Sequence, residues 1–175
     1  MHLSRRSVIK QFLVVSVGIT FLPACKGENK PSIALKNLDI NGDDEKLLAE
    51  VSETIIPKND SPGAKDLSAH LFALKMLDDC YRKEDQQKFV SGLNDFEKLV
   101  KQKTSKSFIN CSAAEKESVL NDLDKRKADD ALSYFYATQK NLTIQAYTTS
   151  KFYLTQVHEY KLVPGKYKGC IPVKV

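Results

Sequence analysis

Four cysteines, three histidines and two adjacent aspartate pairs are the side chains with which this chain could do chemistry. Cys25 follows Leu22-Pro23-Ala24, and a small residue before a cysteine is what a signal peptidase needs to cut at Ala24–Cys25. The freed thiol would then carry a thioether-linked diacylglycerol. Cys80, Cys111 and Cys170 remain, and in an oxidising compartment three thiols permit three pairings. A bridge between Cys80 and Cys170 would close a loop of roughly 90 residues, worth up to about 4–5 kcal/mol on the chain-entropy model. Free thiols in a reducing setting are the other reading. His2, His70 and His158 are scattered, with no H-E-x-x-H, no cysteine–histidine zinc spacing and no C-x-x-C-H. No Gly-rich phosphate loop follows a strand pattern, and G-x-S-x-G is absent. Asp78–Asp79 and Asp129–Asp130 are neighbours in sequence, so on a helix they point to different faces and read as solvated or capping groups. The expectation is a chain with no catalytic, cofactor-binding or metal-binding residues of its own.

The first 24 residues divide into three parts. His2–Lys10 is a charged head containing Arg5 and Arg6. Gln11–Leu22 is mostly apolar, about half the ~20 residues a membrane-crossing helix needs. Leu22-Pro23-Ala24-Cys25 closes the segment. Ser4-Arg5-Arg6-Ser7-Val8-Ile9-Lys10 resembles the twin-arginine export consensus S-R-R-x-F-L-K, which implies passage through the twin-arginine translocase of cargo already folded. Two or more acyl chains at Cys25, each buried methylene contributing about 0.8 kcal/mol, would make membrane attachment stable. The expected location is therefore the periplasm or cell envelope, lipid-anchored.

Losing that segment removes Arg5, Arg6 and Lys10 and no acid, so the net charge of +5 falls to +2. Acidic and basic residues are interleaved, as in Asp122-Leu123-Asp124-Lys125-Arg126-Lys127-Ala128-Asp129-Asp130, the pattern of solvated helix faces. No basic stripe with stacking aromatics is present, which argues against nucleic acid as a partner.

The elements that would hold these residues read as all-α: one compact domain of about five to six helices, residues 43–175, after a signal peptide (1–24) and a flexible tether (25–42). A first helix is expected over Asp43–Ile56, with Leu47, Leu48, Val51 and Ile55 on one face and Pro57 as its stop. Pro62–Gly63 marks a turn. Asp66 is expected to cap a second helix carrying Leu67, Leu71, Leu74, Leu77 and Tyr81. A third runs from Glu84 to about Lys101 through Phe89, Leu93, Phe96 and Val100, with Gly92 marking a close helix crossing. Phe108 and Ile109 are expected to plug the core. Ser112 and Glu115 form a capping box for a fourth helix bearing Val119, Leu120 and Leu123. A fifth begins near Asp129 and carries Leu132, Phe135 and Tyr136. Asn141–His158, rich in β-branched and aromatic residues, is read as helical, and the tail as irregular.

Ile55-Ile56-Pro57, Ser61–Asp66 (S-P-G-A-K-D), Asp79-Cys80-Tyr81, Phe89–Leu93 (F-V-S-G-L) and above all Val163–Pro172 (V-P-G-K-Y-K-G-C-I-P) occur in order along the chain. Together they resemble the gluconate 2-dehydrogenase subunit 3 family over about Leu47–Pro172. The resemblance implies a small twin-arginine-signalled subunit of a membrane-bound flavin dehydrogenase. It also favours Cys80–Cys170 as the disulfide pair, since related sequences carry cysteine at those positions, with Cys111 peculiar to this chain.

The function so implied is a non-catalytic accessory subunit. Its partner would be a large flavoprotein of the glucose–methanol–choline type that holds FAD and oxidises a sugar, polyol or sugar acid. A cytochrome c subunit is a further possible partner. The small subunit would assist folding, export and, through Cys25, membrane tethering of the flavoprotein. Tyr134–Tyr160 is the expected contact surface. The alternative is an independent envelope lipoprotein that binds or scaffolds without a redox partner.

Overall fold

The computed structural model describes residues 29–158 together with 160, 161, 163, 165, 169 and 170. Arg5, Arg6 and Cys25 lie outside them. The described residues form five α-helices and no strand: α1 Gly42–Ile55, α2 Ala69–Cys80, α3 Lys83–Thr104, α4 Ala113–Asp124 and α5 Ala131–Thr148. A 3₁₀ turn, Phe108–Asn110, lies between α3 and α4, and a π-helical turn, Tyr153–Val157, follows α5.

Local sequence sets most of the helix ends. Asn41 caps α1: its side chain accepts from Asp43 N at 2.8 Å and Asp44 N at 3.1 Å. Asp44 returns a bond to Asn41 N, and Asp43, Asp44 and Glu45 place negative charge in the first turn, where the helix dipole favours it. Ser112 and Glu115 form the expected box on α4. Asp130 caps α5 through Ser133 N at 2.9 Å. The start of α2 differs from expectation. Asp66 does not cap it. Its carboxylate accepts from Gly63 N and pairs with Lys58 instead, and the chain passes through left-handed Ser68 (φ 54°) before the helix begins at Ala69. The reason is packing: Ala64 and Ala69 must both bury against Ala146, and the intervening turn brings them together.

The centre of the fold is the crossing of α3 and α5, the most extensive helix contact. Gly92 makes it possible. A β-carbon there would overlap the Ala131 carbonyl and lie 2.6 Å from Phe135 Cβ. The close approach stacks Phe89 on Phe135 (5.0 Å between ring centres), Phe135 on Phe96 (5.4 Å) and Phe96 on Phe108 (5.1 Å). Phe108 is thus the plug. Ile109, expected to share that role, is 40% exposed, because the 3₁₀ turn rotates adjacent side chains about 120° apart. A buried polar link ties α1 to α5: Gln139 donates to Ser52 Oγ at 2.9 Å, which lies 3.1 Å from Thr143 Oγ1.

The segment expected to be a tether is docked from Asn29 onward. Leu38 and Ile40 are buried in the core cluster, with Ile33 and Leu35 packed against it. The anchor is Asp78, whose fully buried carboxylate accepts the backbone N–H groups of Lys36 (3.0 Å), Asn37 (2.7 Å) and Leu38 (2.9 Å). Asn37 Nδ2 donates in turn to the Asp78 carbonyl at 3.0 Å. Composition made this strap read as polar linker; the apolar pairs Ile33/Leu35 and Leu38/Ile40 and a distant carboxylate seat it.

Candidate partner-binding surface

The four aspartates of the two adjacent pairs have structural tasks. Asp78 and Asp79 do face apart. Burial opposes the charge on Asp78, but the three strap N–H groups outweigh it and hold the pKa below the ordinary carboxylate value. Asp79 is exposed and pairs with Lys75 at 3.0 Å. Asp130, besides capping α5, pairs with Arg126; these contacts lower its pKa to about 2, the Ser133 backbone N–H first among them. Asp129 is exposed beside Lys88. Gln86, buried on α3, donates to the carbonyls of Leu77, Asp78 and Tyr81 (2.9–3.2 Å), closing the C-terminal end of α2 where no glycine is available.

His70 lies on α2 beside a cavity of about 330 Å3 lined also by Glu45, Lys46, Ala49, Glu50, Lys65 and Ile109. Partial burial lowers its pKa, so the imidazole is neutral at pH 7, and its Nδ1 is buried without a partner. Of the two acids lining the cavity, Glu50 pairs with Lys65 and Lys116 (2.9 Å), and Glu45 accepts from Ser32 N and Oγ. His158 is exposed at the far end of the fold. Among the described residues no three His, Cys, Asp or Glu side chains converge as a metal site requires.

Cys80, Cys111 and Cys170 are free thiols in the structure. Cys80 ends α2 and is exposed, as is Cys170. Cys111 is buried behind the 3₁₀ turn, 3.4 Å from Thr104 Oγ1 and from the Ser107 carbonyl.

Several large hydrophobic side chains are exposed late in the chain. Ile144 (41% exposed), Val157 (59%), Tyr160 (57%) and Val163 (80%) carry large hydrophobic side chains into solvent. They follow one another along the last turns of α5 and the chain beyond. Tyr147 anchors this region, with edge-on contacts to Phe152 (6.3 Å) and Tyr153 (6.2 Å) and its hydroxyl 3.5 Å from Ser61 Oγ. The expected contact segment Tyr134–Tyr160 therefore divides. Phe135, Tyr136, Gln139, Leu142, Thr143 and Ala146 are core, and the exposed apolar run begins only near Ile144. The signal that would have separated the halves was Gly92, since whatever crosses that glycine must be buried. Among the described residues no helix is long and apolar enough to cross a membrane.

A family model described as gluconate 2-dehydrogenase subunit 3 matches residues 42–165. No curated protein and no solved structure matches the chain. The match spans all five helices and the exposed apolar run, and the chain belongs to the gluconate 2-dehydrogenase subunit 3 family.

Proposed function

From that membership, we propose that the chain is a non-catalytic accessory subunit of a membrane-associated FAD-dependent dehydrogenase acting on a sugar, polyol or sugar acid. The flavoprotein subunit holds the cofactor and does the oxidation. This chain packs against it, escorts it through the twin-arginine translocase by way of Arg5 and Arg6, and fixes it to the membrane through lipidated Cys25. In the oxidising envelope Cys80 and Cys170 form the disulfide that orders the tail.

One observation carries the reading: beyond a closed helical core, large hydrophobic side chains are left exposed late in the chain, Ile144, Val157, Tyr160 and Val163. Large hydrophobic side chains left exposed over one stretch of chain are where a protein partner would bury apolar surface. The test is co-purification. Tagged chain should bring down an FAD-containing protein, and Val157→Asp with Tyr160→Ser should abolish that while leaving thermal unfolding of the isolated chain unchanged. Arg5→Lys with Arg6→Lys should strand both proteins in the cytoplasm. Dehydrogenase activity that still reaches the envelope in that variant rules out the escort role.

A further inference from the structure

Resting on the proposed lipidation of Cys25, we propose that the pole of the domain formed by Asn29, Ser32 and the N-terminal turn of α1 faces the bilayer at close range, with the exposed apolar run at the opposite pole, pointing away from the lipid. A free tether over 25–42 would let the domain roam about 60 Å from its anchor at roughly 3.5 Å per residue. The strap removes most of that freedom. Asn29 O accepts from Gly42 N at 2.9 Å, and Asn29 Nδ2 donates to Asp43 at 2.7 Å. Ser32 donates to Glu45 through both N (2.6 Å) and Oγ (2.7 Å). Asp78 clamps the next turn of chain, Lys36–Leu38. Gly42 lets the strap lie this close, because a β-carbon there would sit 2.6 Å from Asn29 Oδ1 and 2.9 Å from the Lys30 carbonyl. Only three residues then separate Cys25 from a fixed point at Asn29, a reach of at most about 14 Å over the four Cα–Cα steps.

The direction follows from α1. Its first turn holds Asn29 and Ser32. Beyond its last turn, Ile56 packs on the small cluster of Ala64, Ala69 and Ala146. Ser52 of α1 lies level with Gln139 and Thr143 of α5, and Ile56, one turn further on, packs on the cluster that holds Ala146, so the two helices run the same way and the end of α5 lies at the far pole. From Lys46 to Thr149 the axial separation is about 20 Å at 1.5 Å per residue. The lipid pole and the apolar run are therefore at different ends, and the run is placed to meet a protein in the aqueous phase.

The chain has no tryptophan, so single reporters can be introduced. Lys46→Trp and Thr149→Trp both fall at exposed positions. Each full-length lipidated variant is incorporated into phosphatidylethanolamine–phosphatidylglycerol vesicles containing a dansyl-labelled headgroup, with Cys25→Ser versions as unanchored controls. Energy transfer from the Lys46→Trp protein should exceed that from Thr149→Trp severalfold. A flexible Gly-Ser insertion after Gly27 should bring the first down toward the second. Equal or reversed transfer in vesicle-bound protein overturns the orientation and leaves the anchor standing. Lipid-competent protein that does not float with the vesicles overturns the anchor and the orientation together.

Discussion

Replacing Asp78 should loosen the strap and lower the stability of the whole domain. Its buried carboxylate accepts from Lys36, Asn37 and Leu38, and those three N–H groups lose their partner in Asp78→Ala. A hydrogen bond to a charged acceptor contributes about 1.5–3 kcal/mol net. Three bonds that share one carboxylate are not additive, and a released strap regains water, so the expected loss is about 3 kcal/mol in total. With a urea m-value of about 2 kcal/mol/M, the unfolding midpoint should fall by about 1.5 M. Asp78→Asn keeps an acceptor toward Asn37 and Leu38 but turns an amide N–H toward the N–H of Lys36, so about half that loss is expected. The sign with pH is fixed by the direction of the shift. Asp78 has a folded pKa below its ordinary 3.8, so its contribution is complete above that value and is lost as pH falls through the folded pKa. Asp78→Asn should flatten that part of the acid limb. Urea melts at several pH values and amide exchange at Lys36–Leu38 provide the assay. Wild-type midpoints, or unchanged exchange at those three amides, would refute the clamp.

Gly92→Ala should destabilise more than an ordinary helix glycine replacement gains. The added methyl meets the Ala131 backbone and Phe135, and overpacking of this kind costs about 1–3 kcal/mol or more, read as a drop in Tm. Glu115 has its pKa lowered to about 2, chiefly by the Ser112 backbone N–H and then its hydroxyl. Ser112→Ala should raise the Glu115 pKa in a carboxyl NMR titration; the stabilisation from Glu115, complete above its ordinary 4.5 and lost toward about 2, should shrink with it. In reduced native protein Cys80 and Cys170 should react rapidly with a thiol reagent and Cys111 only after unfolding. In protein taken from the envelope Cys80 and Cys170 should be unreactive until reduced; free thiols there would dismiss the proposed bridge.

Local chemistry decided much of this protein before any folding. The capping box at Ser112 and Glu115, the helix stop at Pro57 and the apolar stripes of α1, α3 and α4 depend on residues within one or two turns of each other, which is why they are legible in a linear chain. Gly92 was legible as a crossing for the same reason: in mid-helix a glycine is weak unless something needs the space. What only the tertiary structure decided involves partners far apart in sequence. Asp78 is an unremarkable acid until Lys36–Leu38, some forty residues earlier, arrive as its donors, and without that contact the strap reads as tether. Asp66 has the right type and position to cap α2, yet burying Ala64 and Ala69 together on Ala146 moves the helix start past it. Tyr134–Tyr160 has one composition throughout, but the α3 crossing buries its first half and leaves Val157 and Tyr160 exposed. Periodicity and caps are properties of neighbours; burial is a property of whatever the folded chain brings opposite.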